Sequence, residues 1–134
     1  MSKRLVGLLL LASAFGLSAQ TKQVYLHSDD PAVVWKLKPQ AEVKADADAL
    51  CTPGYNTSAW VDAVVPGTAF TAYVNAGLEK DPNFGDNIHQ VDRAKYDRSF
   101  WYRTEFKVPA DFNKELIWLN FNGVNRKAEV YLNG

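Results

Sequence analysis

From Phe100 to Val108 the chain alternates without a break. Phe100, Tyr102, Thr104, Phe106 and Val108 fall on one side, and Trp101, Arg103, Glu105 and Lys107 on the other. A period of two marks a half-buried strand. Leu116–Val124 repeats the pattern, with Ile117, Leu119 and Phe121 on the core side against Trp118, Asn120 and Asn122. Lys127–Leu132 is a third run, with Ala128, Val130 and Leu132 alternating against Glu129 and Tyr131. Rich in aromatic and β-branched residues, the three runs predict an antiparallel meander. The chain reaches Asn133-Gly134 next, a pair that favours positive φ and hence a hairpin. No return strand follows, so the sequence reads as a fragment cut inside a turn.

Earlier segments punctuate differently. Val24–His27 and Val33–Leu37 are short apolar runs parted by the turn cluster Ser28-Asp29-Asp30-Pro31, and Val33, Val34 and Trp35 suit a buried strand. Trp60–Val65 reads as a strand stopped by Pro66-Gly67. Thr68–Ala76 predicts the one short helix. Thr68 can cap it, Phe70, Tyr73 and Val74 share a face, and Gly77 supplies a left-handed stop. Pro39–Ala49 permits a weak helix by composition, but no apolar stripe supports one. Thr52–Ser58 is loop chemistry. Leu78–Asp97 has little periodicity, and a long loop inside a compact domain is often functional.

The N-terminus changes the picture of destination. Lys3 and Arg4 precede the apolar run Leu5–Leu17, and small residues follow at Gly16, Ser18 and Ala19. This reads as a signal peptide over residues 1–19, too short to span a bilayer, with cleavage after Ser18 or Ala19. An exported protein, periplasmic or extracellular, is expected, with no membrane segment after cleavage. Residues 20–134 then form the folded part. The chain has 134 residues, with 15 basic and 15 acidic side chains. Loss of Lys3 and Arg4 would leave it two charges negative. That balance argues against a nucleic-acid partner, which needs a basic face. The length excludes a (β/α)₈ barrel of about 250 residues.

Candidate chemistry is sparse. Cys51 is the single cysteine and His27 and His89 the only histidines, so a structural zinc site and a thiol nucleophile lack their partners. Asp81, Asn83, Asp86 and Asn87 offer oxygen ligands, but not at EF-hand spacing. No metal and no cofactor are expected. Val65-Pro66-Gly67-Thr68 lacks the glycines and lysine of a phosphate loop, and no Gly-x-Ser-x-Gly elbow is present. A carboxylate pair for glycoside hydrolysis needs a rigid separation that one acidic loop does not provide. Carbohydrate contact is better motivated. Phe84, Trp101 and Tyr102 lie near Asp81, Asp86, Asn87 and Arg103 in sequence, although an alternating strand must bury either Trp101 or Tyr102. Asn56-Thr57-Ser58 matches a glycosylation sequon, relevant only in a eukaryotic secretory host.

Several of these features fall in a recognisable order. Trp60, Val65-Pro66-Gly67-Thr68, Gly77, Asp81-Pro82-x-Phe84-Gly85-x-Asn87, Phe100–Phe106, Phe121-Asn122-Gly123-Val124 and Ala128-x-Val130-Tyr131-Leu132-Asn133-Gly134 follow one another. Together, from about Trp35 to Gly134, they resemble the N-terminal sugar-binding domain of glycoside hydrolase family 2. The β-mannosidase and exo-β-glucosaminidase branch is the nearest in pattern. The resemblance implies an all-β, galactose-binding-type jelly-roll sandwich. It implies a non-catalytic module of a retaining exo-β-glycosidase, whose two glutamates sit in a downstream barrel beyond an immunoglobulin-like domain. It implies no catalytic residue here. It carries a substrate-binding role to Asn87, and a weaker one to Asp86, at the terminal-sugar subsite; the partner is a β-linked glycoside or oligosaccharide. A β-galactosidase or β-glucuronidase parent, an autonomous carbohydrate-binding module and a structural surface domain stay open as alternatives.

Overall fold

The computed structural model describes residues 22–112 and 116–134. Residues 1–19, expected to be a signal peptide, lie outside them. At the centre is a three-stranded antiparallel sheet in which β1 (Trp35–Pro39) runs between β2 (Val61–Asp62) and β3 (Phe100–Thr104). Strand β1 alternates as the sequence requires. Its core face carries Trp35 and fully buried Leu37, and Pro39, which has no N–H to give the ladder, closes it. Leu37 sits opposite Val61 on one neighbour and Tyr102 on the other, and Ala63 N–H extends the first pairing to Trp35 O at 2.9 Å.

Against this face lies α2 (Ala69–Asn75). Thr68 caps it, its hydroxyl accepting from Thr71 N–H at 3.1 Å. At the other end Gly77 N–H donates to Val74 O and Leu78 N–H to Tyr73 O, both at 2.9 Å, with Gly77 at φ +71°. This is a Schellman stop, and it ends the helix where the glycine predicts. The innermost helical residue is Ala72, fully buried on Leu37 and Ala63, with Ala69 and Tyr73 beside it. The small side chain lets helix and sheet approach. Phe70 and Tyr73, from the expected apolar face, turn their rings toward Tyr96 at 5.2 and 5.7 Å. Gly67 before the helix has a steric role. A Cβ there would meet Val64 O at 2.7 Å and Val64 Cγ1 at 2.8 Å.

The single expected helix is joined by two others, α1 (Ala47–Cys51) and α3 (Asn87–Gln90), and by 3₁₀ turns at Gln40–Glu42 and Arg93–Lys95. Helix α1 forms without an apolar stripe because Asp46 caps it, accepting from Ala49 N–H at 2.9 Å, and one residue, Leu50, anchors it in the interior. Cys51 beside it is a half-buried free thiol.

The meander is only partly realised. Pairing of the first run stops at Thr104, and Leu116–Val124 and Lys127–Leu132 carry no strand. Every residue from Leu116 to Gly134 is exposed, Trp118 to 74%. Alternation specifies which face a strand would bury, but not the edge it pairs with or the layer that covers it. Tyr131 reaches Trp101 at 5.8 Å, on the outer face of β3. The described residues thus form one sheet, and the expected second layer of the sandwich is not among them. Asn133 and Gly134 do adopt positive φ, +59° and +96°.

Candidate functional site

The stretch between α2 and β3 is more ordered than its sequence predicts. Asp81 organises its start: its carboxylate accepts from Asn83 N–H at 2.9 Å and Asn83 Nδ2 at 3.1 Å, and its carbonyl accepts from Phe84 N–H at 3.2 Å. Gly85, at φ +58°, turns the chain. Asn87 then opens α3, its backbone N–H donating to Phe84 O at 3.3 Å. Its side chain donates from Nδ2 to Asp81 O at 2.9 Å. A carboxamide has two N–H donors and an acceptor oxygen. One donor is spent holding the loop, and no other hydrogen bond of this side chain forms among the described residues. One donor and the acceptor oxygen are left over.

Asn87 lines an open cavity of about 380 Å³ between the end of α2 and α3, together with Gly77, Leu78, Glu79, Lys80, Gln90 and Val91. Its size is at the low end for a small-molecule site. Lys80 Nζ donates to Gln90 Oε1 at 3.1 Å, and Lys95 Nζ meets Glu79 Oε1 at 2.9 Å. The bond from Lys95 holds the Glu79 carboxyl below the usual carboxylate range, and the same bond raises Lys95. Behind them the Tyr96 hydroxyl is buried beside the Glu79 carboxylate, without a well-aligned hydrogen bond. Burial first, and then the Glu79 carboxylate, push its ionisation far upward.

The two expected site residues differ in setting. Asn87 is half-buried and lines the cavity; Asp86 does not line it and is exposed, 3.8 Å from His89 Nε2. None of Phe84, Trp101, Tyr102 or Arg103 lines the cavity, so the aromatic cluster expected from sequence proximity is not brought to the loop. Phe84 is exposed to 77%. Tyr102 shares the face of Leu37, and Trp101 the opposite face. Glu79, Lys80 and Gln90 belong to no motif, and their convergence comes from the turn at Gly77. Among the described residues no group of three His, Cys, Asp or Glu side chains comes together, and no helix is long and apolar enough to cross a membrane.

Arg103 does different work from the sugar contact considered above. It lies directly opposite Lys36 across the sheet, an unfavourable pairing of like charges. The two diverge. Lys36 Nζ pairs with Asp62 at 2.5 Å. Arg103 swings to the end of α1, donating from Nε to Leu50 O at 2.7 Å and from Nη2 to Thr52 O at 2.8 Å and Glu105 Oε1 at 2.6 Å. Its guanidinium also lies 5.7 Å over the Tyr55 ring.

Comparison with known proteins agrees with this architecture. Residues 35–134 match the family described as glycosyl hydrolase 2 galactose-binding domain-like. The chain is 32% identical over 100 residues to an exo-β-D-glucosaminidase of Streptomyces avermitilis, and 32% identical over 98 residues to one of Amycolatopsis orientalis. These alignments cover 75% and 73% of the chain. Over 109 residues it is 35% identical to a mannosylglycoprotein endo-β-mannosidase of Lilium longiflorum, covering 75% of the chain. The matched parts are 11%, 9% and 11% of those relatives, so the chain spans about a tenth of their length. No solved structure matches the chain. The family match and the antiparallel sheet with its few short helices agree on the all-β, galactose-binding-like fold class.

Proposed function

The chain belongs to the glycosyl hydrolase 2 galactose-binding domain-like family, and from that premise we propose that it is the N-terminal, non-catalytic module of an exported retaining exo-β-glycosidase. The substrate class is the non-reducing end of β-linked mannosides or glucosaminides. The names of the two exo-β-D-glucosaminidases support the exo mode and the glucosaminide, and that of the endo-β-mannosidase supports the mannoside alone. Export rests on the basic and apolar start of the chain, residues 1–19. The acid/base and nucleophile of a retaining mechanism belong to a barrel domain of the same polypeptide, beyond an immunoglobulin-like domain.

One observation carries the reading of the site: Asn87 is held by Asp81 O and lines the cavity. A neutral amide that both donates and accepts suits a sugar hydroxyl, which also does both, and it adds no charge to the subsite. Because its orientation is fixed before sugar arrives, little side-chain entropy is lost on binding. Asp86, the exposed neighbour of Asn87, is the second sugar contact in this reading. The module completes and shields the pocket and performs no bond chemistry. The test compares hydrolysis of aryl β-mannosides and aryl β-glucosaminides by the full-length polypeptide and by residues 1–134 alone. Turnover by the first and none by the second is expected. Turnover by residues 1–134, or none by the full-length protein on either substrate, overturns the reading.

A further inference from the structure

The loop bearing Asn87 leaves α2 and returns to β3 through a narrow neck whose two sides rest on the same aromatic block. On the outgoing side, Leu78 and Glu79 N–H both donate to Tyr73 O, at 2.9 and 3.3 Å, which fixes the backbone of Glu79 on the last turn of α2. On the return side, Asp92 caps the 3₁₀ turn by accepting from Ala94 N–H at 3.1 Å, and this turn presents Lys95 and Tyr96 together. The Tyr96 ring meets Phe70 at 5.2 Å, Tyr73 at 5.7 Å and Phe100 at 6.5 Å, while Tyr73 also meets Phe100 at 6.5 Å. Edge-on and stacked ring contacts of this kind fix relative orientation as well as burying area. Above the block, Lys95 Nζ closes on Glu79 Oε1 at 2.9 Å. The Glu79 side chain is 16% exposed and that of Lys95 is 55% exposed, so the carboxylate is the fixed partner and the lysine the latch.

We propose that the Glu79–Lys95 ion pair, seated on the Phe70, Tyr73, Tyr96 and Phe100 rings, is the clasp that sets the 81–90 loop over α2, making Glu79 and Lys95 positioning residues for Asn87. Glu79 lines the cavity with its Oε1 engaged by Lys95, and the role assigned to it here runs through the neck. What Asn87 is positioned for rests on the function proposed above; the clasp does not.

Amide hydrogen exchange on the full-length polypeptide, without sugar, tests it. Glu79→Gln and Lys95→Met are each expected to speed exchange of peptides covering 80–92 about threefold, the scale of a solvent-screened ion pair. The double variant is expected to do no more than either single one, because both remove the same interaction. Lys95→Arg is expected to retain the protection, and peptides covering 35–39 and 100–104 to exchange as before. Three results overturn the clasp: unchanged exchange over 80–92 in Lys95→Met, acceleration shared equally with the strands, or a double variant equal to the product of the singles. Unchanged hydrolysis by an Asn87→Ala enzyme would remove the sugar contact and leave this result standing, so the two readings fail separately.

Discussion

Replacing Arg103 by methionine keeps an unbranched apolar stem and removes the guanidinium, including its place over the Tyr55 ring. Two backbone carbonyls then lose their donor. Leu50 O lies on a residue only 5% exposed, at the end of α1 where helical carbonyls have no intrahelical partner. Leaving a buried acceptor without its donor costs about 1–3 kcal/mol. Thr52 is exposed, so water replaces the lost bond and the loss there is nearer the low end, about 0.5–1.5 kcal/mol. Glu105 is solvent-exposed and adds little. The expected destabilisation is about 2–4 kcal/mol, a large part of the roughly 5–15 kcal/mol that a small domain commands. Urea unfolding of the full-length polypeptide, followed by the near-ultraviolet signal of this domain, should show its midpoint falling by about 1–2 M with the slope unchanged. Arg103→Lys should recover less than half of the loss, since one ammonium cannot span the fork of acceptors. A shift below about 0.3 M, or full recovery with lysine, would refute the assignment of Arg103 as the tie between β3 and α1.

Three other outcomes follow from the same packing. Gly67→Ala should destabilise by about 1–3 kcal/mol in denaturant unfolding, because the new methyl overlaps Val64. Glu105 and Glu79 are both held below the ordinary glutamate value of 4.5, by hydrogen bonds from Arg103 and Lys95 respectively. Their contribution is therefore complete above that value and lost as pH falls through the lower, folded pKa. An unfolding midpoint that declines below pH 4.5, less steeply in Glu105→Gln, is expected; a midpoint that rises on acidification contradicts it. Trp118→Ser in the 134-residue polypeptide should reduce aggregation measured by light scattering without lowering the unfolding midpoint, since Trp118 is 74% exposed.

What the sequence discloses here depends on how local each signal is. Helix α2 is legible because Thr68, Gly77 and the apolar positions between them act within one segment, and its observed bounds fall one residue inside the expected ones at each end. Strand β3 is legible from alternation, whereas β1 starts two residues later than the apolar run Val33–Leu37 predicts, with Val34 exposed, because a short apolar run does not fix strand bounds. Helix α1 is not, since its single anchor Leu50 makes no periodic pattern and its terminal carbonyls are satisfied by Arg103, 53 residues away. Alternation over 116–132 identifies a face that these residues do not bury, because periodicity carries no information about the pairing edge. The site divides the same way. Asn87 is found through a motif, whereas Glu79, Lys80 and Gln90 converge only after the Schellman turn redirects the chain. Trp101 and Tyr102 look like sugar platforms in one dimension but belong to opposite faces of β3.

The most direct test is steady-state hydrolysis of aryl β-mannoside and aryl β-glucosaminide by the full-length polypeptide, with and without Asn87→Ala. The account predicts that kcat/KM falls about five- to tenfold on the substrate that the enzyme prefers, mainly through KM, as expected for loss of a binding hydrogen bond made before and during the reaction. An Asn87→Ala enzyme with unaltered kcat/KM on both substrates would contradict it.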